Sequence, residues 1–219
     1  MDFRPIPPSA HNSRMIPRFL DRLLRRTNRK VGPDLTLLTL ERPRDWSEQY
    51  PDVPKPETSL SIQLIAARWA CNDLHGEDMP RIAGDLLETG LDSAGLRRLA
   101  AETQVSCSAD VEHLLARVFR EFEIPYPMPE GRAQLVFARQ TAREVIAGHC
   151  DPWPAAFNLE KAMWGRYPKN EDLASIFALN DEWAWDADYQ RFVPVMTSDL
   201  IEVFARLGKM SDAEVFAES

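Results

Sequence analysis

From residue 59 onward, apolar side chains recur every three or four residues, and the apolar runs are separated by residues that start or end helices. The first run contains Ile62, Leu64, Ile65 and Trp69, and we expect its helix to stop near Gly76. The alternation of apolar and polar residues that is typical of strands is absent from this region. The pattern therefore predicts an all-α fold, an irregular helical bundle of about eight helices.

Cap residues divide the rest of this region into seven further helices. Side chains with a hydrogen-bonding oxygen are favoured just before a helix, proline in its first turn and glycine after its end. The expected starts are Asp78, Asp92, Ser108, residue 130, Asp151, Asn170 and Thr197. The side chains expected in the core are those of Trp69, Leu86, Leu114, Ile146, Phe177 and Phe204.

Two stretches of this region follow a similar plan, which predicts two related three-helix units. From Arg68 the chain passes a turn, a proline-started helix and a glycine before a capped helix reaches Leu96, 28 residues later. From Arg143 the same order leads to Leu173, 30 residues later. The alternative is that helices with ordinary caps resemble one another without any duplication.

Residues 1–58 differ from the rest in charge and in proline content, and we interpret them as a basic, proline-rich N-terminal arm and linker. Residues 1–30 carry eight basic side chains against two acids, so the net charge of −8 leaves −14 for the remainder. Phe19, Leu20, Leu23 and Leu24 predict a short basic amphipathic helix whose apolar face packs on a partner or on the body. Residues 43–57 are either a linker or a loop wrapped on the body. The domain division is then 1–58 for the arm and 59–219 for an acidic helical body.

Composition narrows the class of protein. An apolar fraction of 44% is that of a folded protein, and no apolar run reaches the roughly 18 residues that a transmembrane segment needs. Three widely spaced cysteines do not predict a disulfide framework. We therefore expect a cytoplasmic protein with reduced thiols. Glycine-rich phosphate loops and the common hydrolase motifs are missing from the sequence, so it offers no catalytic residue and no cofactor.

Two turns carry the few side chains that could bind a metal. Cys71 and His75 are four residues apart on one predicted helix, a spacing that suits two ligands, and His149 and Cys150 lie at the corresponding turn of the second unit. A composite metal site or a cysteine nucleophile would form if the two turns met. The alternative is that the cysteines are small buried apolar residues, and we predict no metal.

Residues 180–188, which we call the acidic segment, combine four acids with two tryptophans. Acids around an aromatic side chain suit contact with a basic partner. The candidate partner-binding residues are Asp181, Glu182, Trp185, Asp186 and Asp188. The alternative places Trp183 in the core and leaves the acids solvated near a helix end.

Residues 139–207 resemble a group of known proteins. The resemblance is carried by turns, caps and core positions: Ala142-Arg143, Ile146, Gly148, Asp151-Pro152, Ala155-Ala156, Asp172-Leu173, Phe177, Leu179 and Asp181-Glu182-Trp183. This part of the chain resembles small all-helical bacterial proteins without an assigned activity, some of which look like immunity proteins of toxin systems. The resemblance implies a binding protein and supplies no catalytic residue.

Three hypotheses for function follow. The first is a non-enzymatic protein-binding module, in particular a bacterial immunity protein that occludes a basic toxin, with the acids steering the partner and Trp185 as an anchor. The second is a metal-dependent or cysteine enzyme with its site between the His75 and His149 turns. In the third, the basic arm binds nucleic acid or a membrane surface. The acidic body itself repels nucleic acid.

Overall fold

The computed structural model describes residues 43–58, 60–185 and 193–217, and within these residues every regular element is helical. The predicted all-α class is confirmed. A 3-10 turn, Gly76–Asp78, precedes the second helix. The α-helices are α1 (Ile62–Ala70), α2 (Met79–Glu88), α3 (Ala94–Ala100), α4 (Ser108–Glu121), α5 (Glu130–Ile146), α6 (Pro152–Ala162), α7 (Glu171–Trp185), α8 (Val193–Lys209) and α9 (Asp212–Ala217).

Two of the predicted helix starts are capped by a side-chain hydrogen bond, whereas Asp78 and Asp151 occupy the cap position without one. The Ser93 hydroxyl accepts a hydrogen bond from the Leu96 amide at 3.1 Å, and the Asn170 side chain does the same for Leu173 at 3.1 Å. The prediction of Ser108 as a cap is wrong, because the cap position is Cys107. Asp110 explains the shift: its carboxylate accepts from the Cys107 amide at 3.0 Å, so α4 starts one residue earlier than a serine cap would place it.

Two further boundaries differ from the sequence prediction, and one helix is additional to it. Helix α1 ends at Ala70 rather than near Gly76, because Asn72 adopts a left-handed backbone conformation with φ of 59°. Helix α8 begins before Thr197, since Pro194 fits the first turn, where its missing amide hydrogen removes no bond. Helix α9 was not predicted, although Ser211 and Glu214 form the reciprocal bonds of a capping box.

Helix α5 lies at the centre of the fold. It packs mainly against α1 and α8 and also contacts α6 and α9. Almost all of its residues are buried, including Gln134, Arg139, Gln140 and Arg143. A helix that is buried on every side is a core element rather than an amphipathic surface helix.

The predicted core is confirmed at four positions and wrong at two. Leu86, Leu114, Ile146 and Phe204 are buried, whereas Trp69 and Phe177 are only half-buried. The buried face of α7 consists of Leu173, Ile176 and Asn180, and Phe177 lies one position off that face. Trp69 lies near the end of α1, where it lines a surface cleft.

Residues 43–58, which we call the strap, cross the helical body and belong to the same compact unit. The Trp46 amide donates to the Ile146 carbonyl at 2.9 Å, and Gln140 exchanges two hydrogen bonds with the Glu57 backbone. The strap is therefore a loop wrapped on the body, the second of the two predicted alternatives. The predicted amphipathic helix and the rest of residues 1–42 lie outside the described residues.

The two proposed three-helix units have partly matching structures. Gly90 and Gly165, which follow the second helix of each unit, both have positive φ, at 91° and 77°. Helix α2 packs on α3, α6 packs on α7, and the first helices, α1 and α5, pack on each other. The lengths of α1 and α5 differ, at 9 and 17 residues, and duplication stays a prediction. Within the described ranges, none of the helices has both the length and the apolar character of a membrane span.

Candidate partner-binding surface

The acidic segment begins on the last turns of α7. Asp181 is exposed there, and Asn180 beside it is buried. The side chains of Glu182 and Trp185, together with Asp186 and Asp188, lie outside the described residues. The structure therefore describes one of the five predicted partner-binding side chains.

Asp181 belongs to a larger group of negative charge between α6 and α7. The Asn180 amide donates to the Glu160 carboxylate, and its own Oδ1 is buried without a hydrogen-bond partner among the described residues. Burial raises the pKa of Glu160, the Asn180 amide opposes that rise, and the Asp181 charge adds to it. Partial burial also raises the pKa of Asp181. A positive charge placed here would favour the ionised form of both acids.

A surface cleft of about 370 Å³ is lined by Arg166, which lies in the loop between α6 and α7, and by residues from three other parts of the chain. Its volume is at the lower end of the range of ligand sites in proteins, roughly 300–1,000 Å³. The walls come from the end of α1, from α4, from the proline-rich loop before α5 and from the loop after α6. The side chains that give the cleft its character are those of Trp69, Asn72, Glu112, Tyr126, Glu130 and Arg166.

Tyr126 is held in the cleft wall by packing and by a hydrogen bond. Its ring stacks on Phe119 with 5.7 Å between the ring centroids, and its hydroxyl donates to Glu112 Oε1 at 3.4 Å. Burial raises the pKa of Tyr126, against the lowering effect of a hydrogen bond with Trp69, while the Glu112 charge raises it further. Tyr126 is therefore a neutral aromatic donor at physiological pH.

Arg166 lines the cleft and is held by two contacts. Its Nη1 donates to the Ala70 carbonyl at 2.6 Å, and its Nε lies 3.6 Å from Glu130 Oε1. The carbonyls at a helix C-terminus have no partner within the helix and attract positive charge. Arg166 therefore satisfies the end of α1 and fixes the loop that follows α6.

The same loop, residues 163–170, carries two large exposed aromatic side chains and is called here the aromatic loop. Trp164 is 80% exposed and Tyr167 is 96% exposed. The apolar run through Met163 and Trp164 predicts that both continue the core face of α6, but only Met163 is buried. Helix α6 ends at Ala162, so Trp164 leaves the helical register and points away from the core.

The thiol and imidazole groups do not form the composite site that the sequence permits. Gly76 lies against the Cys107 and Ser108 backbone, whereas Gly148 lies against Arg44 and Asp45. The side chains of His75 and His149 are both exposed. Among the described residues, no three His, Cys, Asp or Glu side chains are grouped to hold a metal, so Cys71, His75, His149 and Cys150 form no such group.

The two turn cysteines are also poor nucleophiles. Burial raises the pKa of the Cys71 thiol to about 12 and that of Cys150 to about 12. The thiolate is the reactive form of cysteine, and both groups are protonated at neutral pH. Their environment fits the second predicted alternative, in which the cysteines fill space in the core.

Comparisons with protein-family models, with curated proteins and with solved structures found no match for this chain. The resemblance of residues 139–207 to immunity-like helical proteins therefore stays a prediction. The side chains themselves carry the functional argument: an acidic surface, a small aromatic cleft and an exposed aromatic loop.

Proposed function

We propose that the protein is a non-enzymatic protein-binding module for a basic partner, in the specific form of an immunity protein that occludes a basic toxin. The observation that carries this proposal is the exposure of Trp164 and Tyr167 on one short loop of an acidic protein. Tryptophan and tyrosine are enriched among the residues that dominate binding energy at protein interfaces.

Exposed aromatic side chains of this size are unfavourable in the free protein. Each can bury about 150–250 Å² of surface in a contact, and the gain is roughly 25 cal/mol per Å² of apolar area. Their rings also lose little conformational entropy on binding, because two torsions fix each side chain. The aromatic loop therefore fits the centre of an interface better than it fits a solvent-exposed turn.

Charge sets the kind of partner. The remainder of the chain after residue 30 has a net charge of −14, and Glu112, Glu130 and Asp181 are exposed on the body. Such a surface attracts a basic protein over distance and repels an acidic one. The aromatic loop ends at residue 170 and the acidic segment begins at residue 180, so the two lie about 15 Å apart along α7. One interface of standard size, about 800 Å² on each partner, can include both.

The test is affinity capture from the source organism with three forms of the full chain. Wild type and Val195→Ser, which removes an exposed apolar side chain elsewhere on the surface, should recover the same basic protein. The double variant W164A/Y167A should lose it. For the specific form, coexpression with the recovered protein should relieve its toxicity. Equal recovery by all three forms would show that the aromatic loop is not the contact surface.

A further inference from the structure

The cleft has acids that the fold does not fully use. Within the described part of the chain, the Glu112 carboxylate has one hydrogen-bond partner, the Tyr126 hydroxyl at the long distance of 3.4 Å. Glu130 is 59% exposed and its oxygen lies 3.6 Å from Arg166 Nε, which is longer than a hydrogen bond. The cleft thus combines two weakly paired carboxylates with the aromatic side chains of Trp69 and Tyr126.

One guanidinium is already bound at the edge of this cleft. Arg166 is held there by a helix C-terminal carbonyl and faces a carboxylate. Glu112, which also lines the cleft, offers the same kind of carboxylate next to the ring of Tyr126, which in turn contacts Trp69. A planar guanidinium matches a carboxylate in two parallel hydrogen bonds and also stacks on aromatic rings.

Other classes of small ligand fit the cleft less well. An anion would meet Glu112 and Glu130, while the guanidinium of Arg166 is already engaged with Ala70. A purely apolar group would remove water from the two carboxylates without replacing its hydrogen bonds, which is costly. A cationic group satisfies the carboxylates and contacts the rings at the same time.

We propose that the cleft binds an arginine side chain of the basic partner, between Glu112 and the rings of Trp69 and Tyr126. This inference rests on the proposed function and adds to it a specific pocket and a specific residue type. The aromatic loop, which contains Arg166, would contact the partner surface beside that arginine.

The experiment uses two short peptides and the full-length protein. The probes are acetyl-Gly-Gly-Arg-Gly-Gly-amide and the same peptide with citrulline, which has the shape of arginine without its charge. Binding is followed by ¹H–¹⁵N NMR at the Trp69 indole and the Asn72 amide. We expect both signals to shift with the arginine peptide, and the citrulline peptide to bind at least about fivefold more weakly, since the ion pair and the cation–π contact are both lost.

Three variants complete the design. Glu112→Gln should weaken binding of the arginine peptide about threefold to fivefold, the upper part of the range of an exposed ion pair. Glu88→Gln removes the same charge from an exposed position outside the cleft and should leave the affinity unchanged. W164A/Y167A should also bind the peptide as wild type does, which separates this result from the capture experiment. Equal affinity for the two peptides, or for Glu112→Gln and wild type, overturns the proposal and leaves the proposed function to its own test.

Discussion

Glu121 joins the end of α4 to the start of α3. Its Oε2 accepts from the Gly95 amide at 2.7 Å, and its Oε1 accepts from Arg117 Nε at 2.9 Å. The hydrogen bond with the Ser93 side chain, then those with Arg117 and the Gly95 amide, lower the pKa of Glu121 to about 2. An exposed acid thus acts as a structural residue, because its charged form is bound by three donors.

This lowered pKa predicts the pH range in which Glu121 matters. A carboxyl whose pKa is lower in the folded state stabilises the protein above its ordinary value of 4.5. That contribution disappears as the pH falls from 4.5 to about 2. Glu121→Gln should therefore lower the urea midpoint at pH 7. The difference in urea midpoint between this variant and wild type should become smaller as the pH falls through this range. Glu88→Gln is the control, and a difference that stays constant from pH 7 to pH 2 would contradict the assignment.

Arg143 is a charged residue that is buried and has a structural role. It is 8% exposed, and its Nε donates to the Gly208 carbonyl at 3.0 Å, in the last turn of α8. Burial lowers the pKa of Arg143, the nearby charge of Arg139 lowers it further, and Glu57 and Asp212 oppose that effect. The guanidinium therefore compensates a buried carbonyl that the helix itself leaves without a donor.

Removing that donor should destabilise the fold. Arg143→Met keeps much of the side-chain volume but leaves the buried Gly208 carbonyl without this partner, which costs about 1–3 kcal/mol. The free energy of unfolding from denaturant titration measures the loss. Arg120→Met replaces an exposed arginine of α4 and should change it by less than about 0.5 kcal/mol. Equal effects of the two substitutions would mean that the Gly208 contact contributes nothing.

Among the elements, the strap shows most clearly how local geometry closes the fold. It crosses the body at Gly148, where φ is +68° and a Cβ atom would lie 2.9 Å from the Asp45 Cα. The Trp46 amide is bonded to the last residue of α5 at the same place. Glycine is needed there for two reasons, its backbone conformation and the closeness of the strap.

A pair of substitutions separates these two reasons. Gly148→Ala and Gly165→Ala both place a side chain at positive φ, but only the first meets the strap, since space is open at Gly165. Both should destabilise by about 1–2 kcal/mol from the backbone. Gly148→Ala should lose roughly 1 kcal/mol or more beyond that, and trypsin should then cut faster after Arg44 in the strap. Identical losses and unchanged cleavage would mean that the strap does not depend on this contact.

Periodicity and caps predict elements well where both are local. Ser93, Asp151 and Asn170 mark helix starts within one residue, because a cap is a contact between near neighbours in sequence. The sequence prediction places the start of α8 too late, because the pair Thr197-Ser198 is a more typical helix-start signal than Pro194. The capping box of α9 is visible in the sequence as a serine three residues before a glutamate. The strap has no period, so only its contacts with α5 reveal it.

At the scale of the whole molecule, the cleft is the feature that the sequence does not predict. Trp69, Glu112, Tyr126 and Arg166 are spread over almost a hundred residues and meet only after α1, α4 and α6 have packed. The Ile-Pro-Tyr-Pro-Met-Pro run at 124–129 predicts a break between two helices, but it does not predict that this loop forms a wall of the cleft. The acidic segment, in contrast, is contiguous and can be recognised from sequence, although the structure describes only Asp181 among its candidate side chains.

Charge over the whole body leads to a kinetic prediction for the proposed partner. Replacing Asp181, Glu182, Asp186 and Asp188 by Asn or Gln should slow association while leaving stability nearly unchanged, because solvated charges steer more than they stabilise. The difference in association rate between the variant and wild type should become smaller as salt is added, because the Debye length falls from about 10 Å at 0.1 M to about 3 Å at 1 M. Surface plasmon resonance with the captured partner measures both rates.

Trp185→Ala tests the anchor in the same assay. Loss of an anchor from the centre of an interface mainly speeds dissociation. At a hot spot the binding free energy falls by about 2 kcal/mol or more. An unchanged association rate in the folded quadruple variant would place the interface outside the acidic segment. If the quadruple variant were unfolded, that result would show that these acids have a structural role.

The arrangement around α5 also sets the order in which the chain can mature during translation. Arg143 bonds to Gly208, 65 residues further along, and faces Glu57, 86 residues before it. A ribosome adds about 5–20 residues per second, so α5 emerges several seconds before its C-terminal partners. Until then the side of α5 that α8 and α9 will cover is exposed, and transiently exposed apolar surface of this kind is prone to aggregation.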